Sequence, residues 1–118
     1  MKTKFKRVLL KLSGEYLGGV IGHGFDFTVI DSLTEQIIQI QDLGVEMGIV
    51  LGGGNFFRGT KSIPLKMDRV AADNIGMMAT LMNAVCLKEA LLAKNRKACV
   101  MTGLEAPSIA EKFGKQKA

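Results

Sequence analysis

The apolar positions of the chain repeat first with the period of a strand and then with that of a helix. Val8-Leu9-Leu10-Lys11-Leu12 is apolar on both faces, the pattern of a strand covered on both sides. Residues 13–24 read as a glycine-rich loop. Asp26 or Thr28 can cap a helix in which Ile30, Leu33, Ile37 and Ile40 share one face, and Gly44 supplies its stop. Val45 to Leu51 is a second strand. After three glycines comes a short loop-like segment with Pro64 as a breaker. From about Asp68 to Ala93 the chain is helix-prone and rich in Ala, Met and Leu, with Gly76 as a point for a kink. Ala98-Cys99-Val100-Met101 is a third short strand, and Ser108 can cap a last helix that ends in a charged tail.

Strand, helix, strand, helix, strand, helix is the order of an α/β fold. It implies parallel strands joined by right-handed crossovers, with helices on both faces of the sheet. Ligands in such sheets bind beyond the carboxyl ends of the strands, where both glycine loops fall. Three parallel strands are few for this class, so the sheet is expected to be incomplete at the C-terminus.

Composition narrows the field. A chain of 118 residues suits one domain, and 47% hydrophobic with 23% charged residues suits an ordinary packed core. The net charge of +5 fits a solvated surface or an anionic ligand. Nucleic acid is disfavoured, because no aromatic residues interleave with the basic ones. Cys86 and Cys99 lack metal-ligand spacing and are expected to be buried thiols in a reducing cytoplasm. The apolar run after the basic N-terminus is interrupted by Lys11 and is too short for a signal peptide, and no segment is expected to span a membrane.

The stretch "IVLGGGNFFRG", residues 49–59, carries the most chemistry. Glycines at a strand end permit positive φ and close approach of a ligand to the backbone. Exposed N–H groups there attract anions, and Arg58 adds a forked donor set suited to phosphate. A tight turn with an incidental arginine is the plainer alternative. Phe56 and Phe57 read as packing residues. In "KLSGE", Lys11 at a buried strand end would be costly without an anion, unless it reaches water. Ser13 and Gly14 can offer a hydroxyl and an N–H to the same group. The chain has no G-x-x-x-x-G-K-[ST] and no well-placed G-x-G-x-x-G, so P-loop and dinucleotide readings are weak. Asp73 lies at the start of the long helix and either compensates its dipole or binds paired sugar hydroxyls. Met77, Met78 and Met82 read as core or helix contact. His23 is solitary, and no residue is assigned to a metal.

The motifs "LLKLSGE", "GVEMGIVLGGGNFFRG" and "MDRVAADNIGMMATLMNA" resemble, in order and spacing, those of the bacterial uridylate (UMP) kinases of the amino acid kinase superfamily. The resemblance covers nearly the whole chain. It implies a three-layer αβα sandwich with a mostly parallel sheet, and transfer of the γ-phosphate of ATP to UMP with Mg²⁺. By the same resemblance Lys11, Leu12, Ser13 and Gly14 would line the ATP phosphates. Gly54 and Arg58 would sit where donor and acceptor meet, with Lys11 and Arg58 catalytic. Gly53 and Asp73 would bind UMP, Asp73 at the ribose. Gly19, Val20, Ile21, Gly22, His23 and Gly24 match a region tied to activation by GTP, and UTP would inhibit. A cytoplasmic homohexamer is implied, with the long helix at a dimer contact. In the family a further half follows, with a Thr-Gly-Asn-Pro loop and the adenine pocket. Residues 1–118 are therefore expected to be the N-terminal, UMP- and phosphate-binding half. The alternatives are an inactive nucleotide- or phosphate-binding fragment and a hexamer-assembly fragment.

Overall fold

The computed structural model describes residues 4–57, 67–104, 106 and 108–112. Strand β1, Arg7–Leu12, pairs in parallel with β2, Glu46–Leu51, in the register Arg7 to Glu46 through Leu12 to Leu51. Between them lie a short helix α1, Gly14–Leu17, and the crossover helix α2, Phe27–Asp42. Helix α3, Arg69–Leu92, follows, and then two short parallel strands, β3 (Met101–Thr102) and β4 (Glu111–Lys112).

Helix α2 forms where the 3.6-residue spacing places it. Asp26, the first of the two candidate caps, accepts from the N–H groups of Thr28 and Val29 at 3.0 and 3.3 Å. Ile30, Leu33 and Ile37 are buried on the face that meets the sheet. The helix ends before Gly44, whose φ of +87° is left-handed backbone that glycine adopts without strain. Helix α3 is capped by Asp68 and buries the stripe Ala72, Ala79, Asn83, Leu87 and Leu91. It runs through Gly76 as one helix. Leu17, Ile30, Leu33, Ile37, Leu51, Leu87 and Leu91 form the core, with Leu12, Met47 and Ile49 packed beneath them. Each such side chain contributes roughly 1.5–3 kcal/mol by leaving water. Lys94, just past α3, bridges to Asp31 at 2.6 Å and to Glu35, which ties the end of α3 to α2.

Several sequence expectations are corrected. Residues 13–24 are not all loop: Ser13 accepts from Glu15 N–H at 3.2 Å and starts α1. Among the described residues, the β1–β2 sheet is covered on one face only. Exposure alternates along both strands, and Leu9 and Val50 are exposed on the far face. The third strand begins at Met101 rather than Ala98, and its ladder goes to β4. The described strands therefore make two pairs rather than one three-stranded sheet. No helix starts at Ser108. A turn from Ala106 leads into β4, and the Glu111 N–H that a helix would use internally bonds to Val100 O at 2.9 Å. Cys86 is half-buried and Cys99 is exposed, since Cys99 lies on a segment outside the core. Met77, Met78 and Met82 are likewise exposed, which overturns the core reading of them and not the helix-contact one. The statement that no segment could span a membrane also fails by length and composition. The Ala-, Met- and Leu-rich α3 is long and apolar enough, although here it supplies the Ala72-to-Leu91 stripe of the fold.

Candidate functional site

Both glycine loops emerge at the carboxyl ends of β1 and β2 and press against each other. A Cβ on Gly14 would stand 2.5 Å from Gly52 O and 2.7 Å from Gly54 N. Gly52 N–H donates to Leu12 O at 3.0 Å, which prolongs the ladder to the edge of the loop. The second loop then crosses onto α3, where a Cβ on Gly53 would meet Ala79 Cβ at 2.8 Å and Gly76 O at 3.1 Å. Close packing thus explains Gly14 and Gly53, while a Cβ on Gly52 or Gly54 would come no nearer a neighbour than 3.3 or 3.1 Å. Positive φ, the other reason the sequence suggested, occurs instead at Gly19, Gly22, Gly24 and Gly44.

A cavity of about 610 Å³ adjoins this junction, lined among others by Phe57, Asp73, Gly76, Met77, Thr80 and Thr102. Gly53 rests on Gly76 and Thr80 of that lining, so the second glycine loop forms the cavity's edge. Phe57 lines the cavity and is not only a packing residue. Phe56 does pack, edge to face with Phe25 at 5.1 Å between ring centres. Asp73 lies beyond the first turn of α3, whose cap is Asp68. Dipole compensation therefore does not account for Asp73. Its exposed carboxylate stands 3.8 Å from Arg69 one turn earlier, a weak surface pair.

The expected site residues divide into groups. Leu12, Ser13, Gly14, Gly53 and Gly54 come together at the loop junction, and Asp73 joins them through the cavity. Ser13 Oγ caps α1, which leaves its hydroxyl proton as the part it can donate to an anion. Lys11 is paired in register with Val50 and its side chain is exposed. Among the described residues none covers that face of the sheet, so Lys11 reaches water, as the sequence allowed. Arg58 lies outside the described residues, as does Pro64. Gly19 to Gly24 form a turn with Val20 and Ile21 at its exposed apolar tip and His23 exposed beside them. Among the described residues no group of three or more His, Cys, Asp or Glu could hold a metal ion.

Two residues that sequence reasoning missed stand at the centre. Asn55 and Asn83 are both buried, and their side-chain amides bond to each other in both directions at 2.9 and 2.8 Å. The signal for Asn83 was present: a polar side chain at helical spacing from Ala79 and Leu87 must find partners.

Comparison with known proteins bears on the family and the fold. The amino acid kinase family model matches residues 6–116. The chain is 48% identical over 118 residues to a uridylate kinase of Protochlamydia amoebophila (strain UWE25), covering all of this chain and 47% of that protein. It is 42% identical over 115 residues to a uridylate kinase of Saccharophagus degradans, covering 98% of this chain and again 47% of the relative. Among solved structures, a UMP kinase from Bacillus anthracis aligns with a TM-score of 0.89 at 39% identity, over 98% of this chain and 48% of that one. A UMP kinase from Ureaplasma parvum aligns with a TM-score of 0.86 at 35% identity, over 97% and 50% respectively. The chain spans about half the length of these relatives. The family match over nearly every residue, on an α/β framework with parallel strands, establishes that this chain belongs to the amino acid kinase family.

Proposed function

We propose that this chain carries the UMP- and phosphate-binding wall of a UMP kinase, which transfers the γ-phosphoryl group of ATP to UMP. The observation that carries the reading is the backbone-to-backbone junction of the Ser13–Gly14 and Gly52–Gly54 loops beside the Asp73 cavity. In the reaction a phosphate oxygen of UMP attacks the γ-phosphorus of ATP, the bond to the β–γ bridging oxygen breaks, and ADP leaves with that electron pair. Catalysis of this kind is mostly positioning and charge stabilisation. Lys11 and Arg58 would neutralise the moving charge, while Ser13 and Gly14 would offer a hydroxyl and an N–H to phosphate and Gly54 would line the same site. Leu12 would border the ATP phosphates, Gly53 would touch UMP, and Asp73 would accept from the ribose hydroxyls. Mg²⁺ would arrive with ATP, and no step is assigned to it through these residues. A cytoplasmic homohexamer, activated by GTP through residues 19–24 and inhibited by UTP, belongs to the same reading of the whole enzyme.

The test is calorimetric titration of the 118-residue chain with UMP, followed by incubation with ATP, Mg²⁺ and UMP and chromatography of UDP. UMP binding that Asp73→Asn weakens supports the reading, and its absence overturns it. The second reading, for residues 1–118 by themselves, is a nucleotide-binding module without turnover. UMP binding without UDP formation selects that module. Sustained UDP production abolished by Lys11→Ala assigns catalysis to this chain itself.

A further inference from the structure

We propose that Asn55 and Asn83 are positioning residues of the nucleotide site, a buried amide latch that sets the backbone of the Gly52–Gly54 loop. The proposal rests on the UMP-binding reading above and deepens it. Asn83 projects from the buried stripe of α3, and its Nδ2 donates to Gly52 O at 2.7 Å and to Asn55 Oδ1 at 2.8 Å. Asn55 Nδ2 donates to Asn83 Oδ1 at 2.9 Å and to Gly24 O at 2.8 Å. Gly24 returns the contact, its N–H donating to Asn55 O at 2.9 Å. All four amide N–H donors of the two side chains are used, and both are nearly sealed from water, at 2% and 0% exposure.

The latch joins three pieces of chain that no ladder connects: the loop after β2, the turn before α2, and the middle of α3. A stabilising contact alone would not need this pattern, since apolar side chains fill the rest of the same stripe. What the amides add is direction. They fix the Gly52 carbonyl and the Gly24 peptide in orientation, and Gly52 is the residue against which Gly14 packs. The donors of both phosphate loops are therefore held in register with the helix that carries Asp73. A site built from backbone N–H groups has no side chain of its own to adjust, so its precision must come from such a support.

The experiment uses the full 118-residue chain. The double variant Asn55→Leu/Asn83→Leu replaces both side chains by apolar groups of similar size, so the bonds between the two amides are removed together, while the Gly24 and Gly52 carbonyls lose the donors that orient them. Thr34→Val is the control. Thr34 is buried elsewhere, where its hydroxyl donates to Ile30 O at 2.7 Å. UMP affinity is measured by titration, melting by circular dichroism, and exchange at the Gly24, Phe56 and Phe57 amides by NMR. The expected result is UMP binding weakened about tenfold or more by loss of orientation in the double variant, with faster exchange at those amides. Thr34→Val is expected to melt lower and bind UMP as the parent does. Parent-like UMP affinity in a folded double variant overturns the proposal. Should the double variant not fold, Asn55→Asp keeps the shape and removes the donors to Gly24 and Asn83, and parent-like affinity there overturns it equally. Should the parent chain not bind UMP, the functional reading fails on its own. Exchange then decides: loosening confined to Gly24, Phe56 and Phe57 sustains the latch, and unchanged exchange ends it.

Discussion

Gly14 and Gly52 touch through their backbones: the position where Gly14 would carry a side chain is filled by the Gly52 carbonyl, 2.5 Å away. The contact joins the ends of two paired strands, so it can yield only by moving one loop off the other. Gly14→Ala is therefore expected to cost about 1–3 kcal/mol through overpacking and to weaken phosphate binding. Gly24→Ala meets nothing within 4 Å, but its φ is +63°. It should cost about 1–2 kcal/mol from the left-handed backbone alone. Thermal melts of the two variants, with UMP titrations alongside, check the contrast: binding falls more for Gly14→Ala at comparable loss of stability.

Lys11 and Asp73 are expected to separate chemistry from binding. Both side chains are exposed, so neither replacement should shift the melting point appreciably. Assayed in a full-length homologous enzyme, Lys11→Ala should lower kcat by at least about a hundredfold, the usual scale for a lost charge at the transferring phosphoryl group. Asp73→Asn should raise KM for UMP and leave KM for ATP nearly unchanged. Parent-like turnover for Lys11→Ala, or a change in KM for ATP alone in the Asp73 variant, would remove the assigned role.

The sequence made much of this arrangement legible. Helix α2 announces itself because Ile30, Leu33 and Ile37 recur at the helical period, which a buried face imposes on any helix, and α3 because residues 68–93 are rich in the helix formers Ala, Met and Leu. The glycine loops were legible as a site because apolar runs end in them. The failures have other causes. Residues 13–17 were too short to display a period, so α1 went unseen. Val8 to Leu12 is apolar on both faces, and sequence alone does not say whether the second face has a cover within the chain. Asn55 and Asn83 are 28 residues apart, and their pairing exists only after α3 has folded back over the loop.

Lys94 offers a check on how α2 and α3 are joined. Its ammonium bonds to Asp31 and Glu35, and the hydrogen bonds to those carboxylates, Asp31's first, hold its pKa above the ordinary lysine value. A raised folded-state pKa gives stability that is fully present below the unfolded-chain value and is lost as pH rises through the folded one. Lys94→Met is therefore expected to melt below the parent by a constant margin from pH 7 to about 9, a margin that shrinks once pH passes the ordinary lysine range near 10.4. A margin that instead widens at alkaline pH would show that Lys94 acts through packing of its stem.

The far face of the β1–β2 sheet yields the last prediction. Leu9 is 69% exposed and Val50 48%, on strands whose opposite face sends Leu12, Met47, Ile49 and Leu51 into the core with α2 and α3. Leu9 lies over Gly48, its register partner, with Cδ1 only 3.2 Å from where a Cβ would stand. Apolar side chains side by side on an open sheet gain by leaving water, at about 25 cal/mol per Å² covered. The 118-residue chain is therefore expected to self-associate through this face. Leu9→Thr/Val50→Thr places β-branched, strand-compatible residues at both positions and removes much of the apolar surface. Sedimentation velocity should show the parent associating with rising concentration and the double variant less so, while their melting points at low concentration agree. The same association in both proteins would move the contact elsewhere, to the exposed Met78 and Met82 side of α3 in the first instance. Met78→Lys, run in parallel, separates the two surfaces, because only the face that mediates association responds to its own substitution.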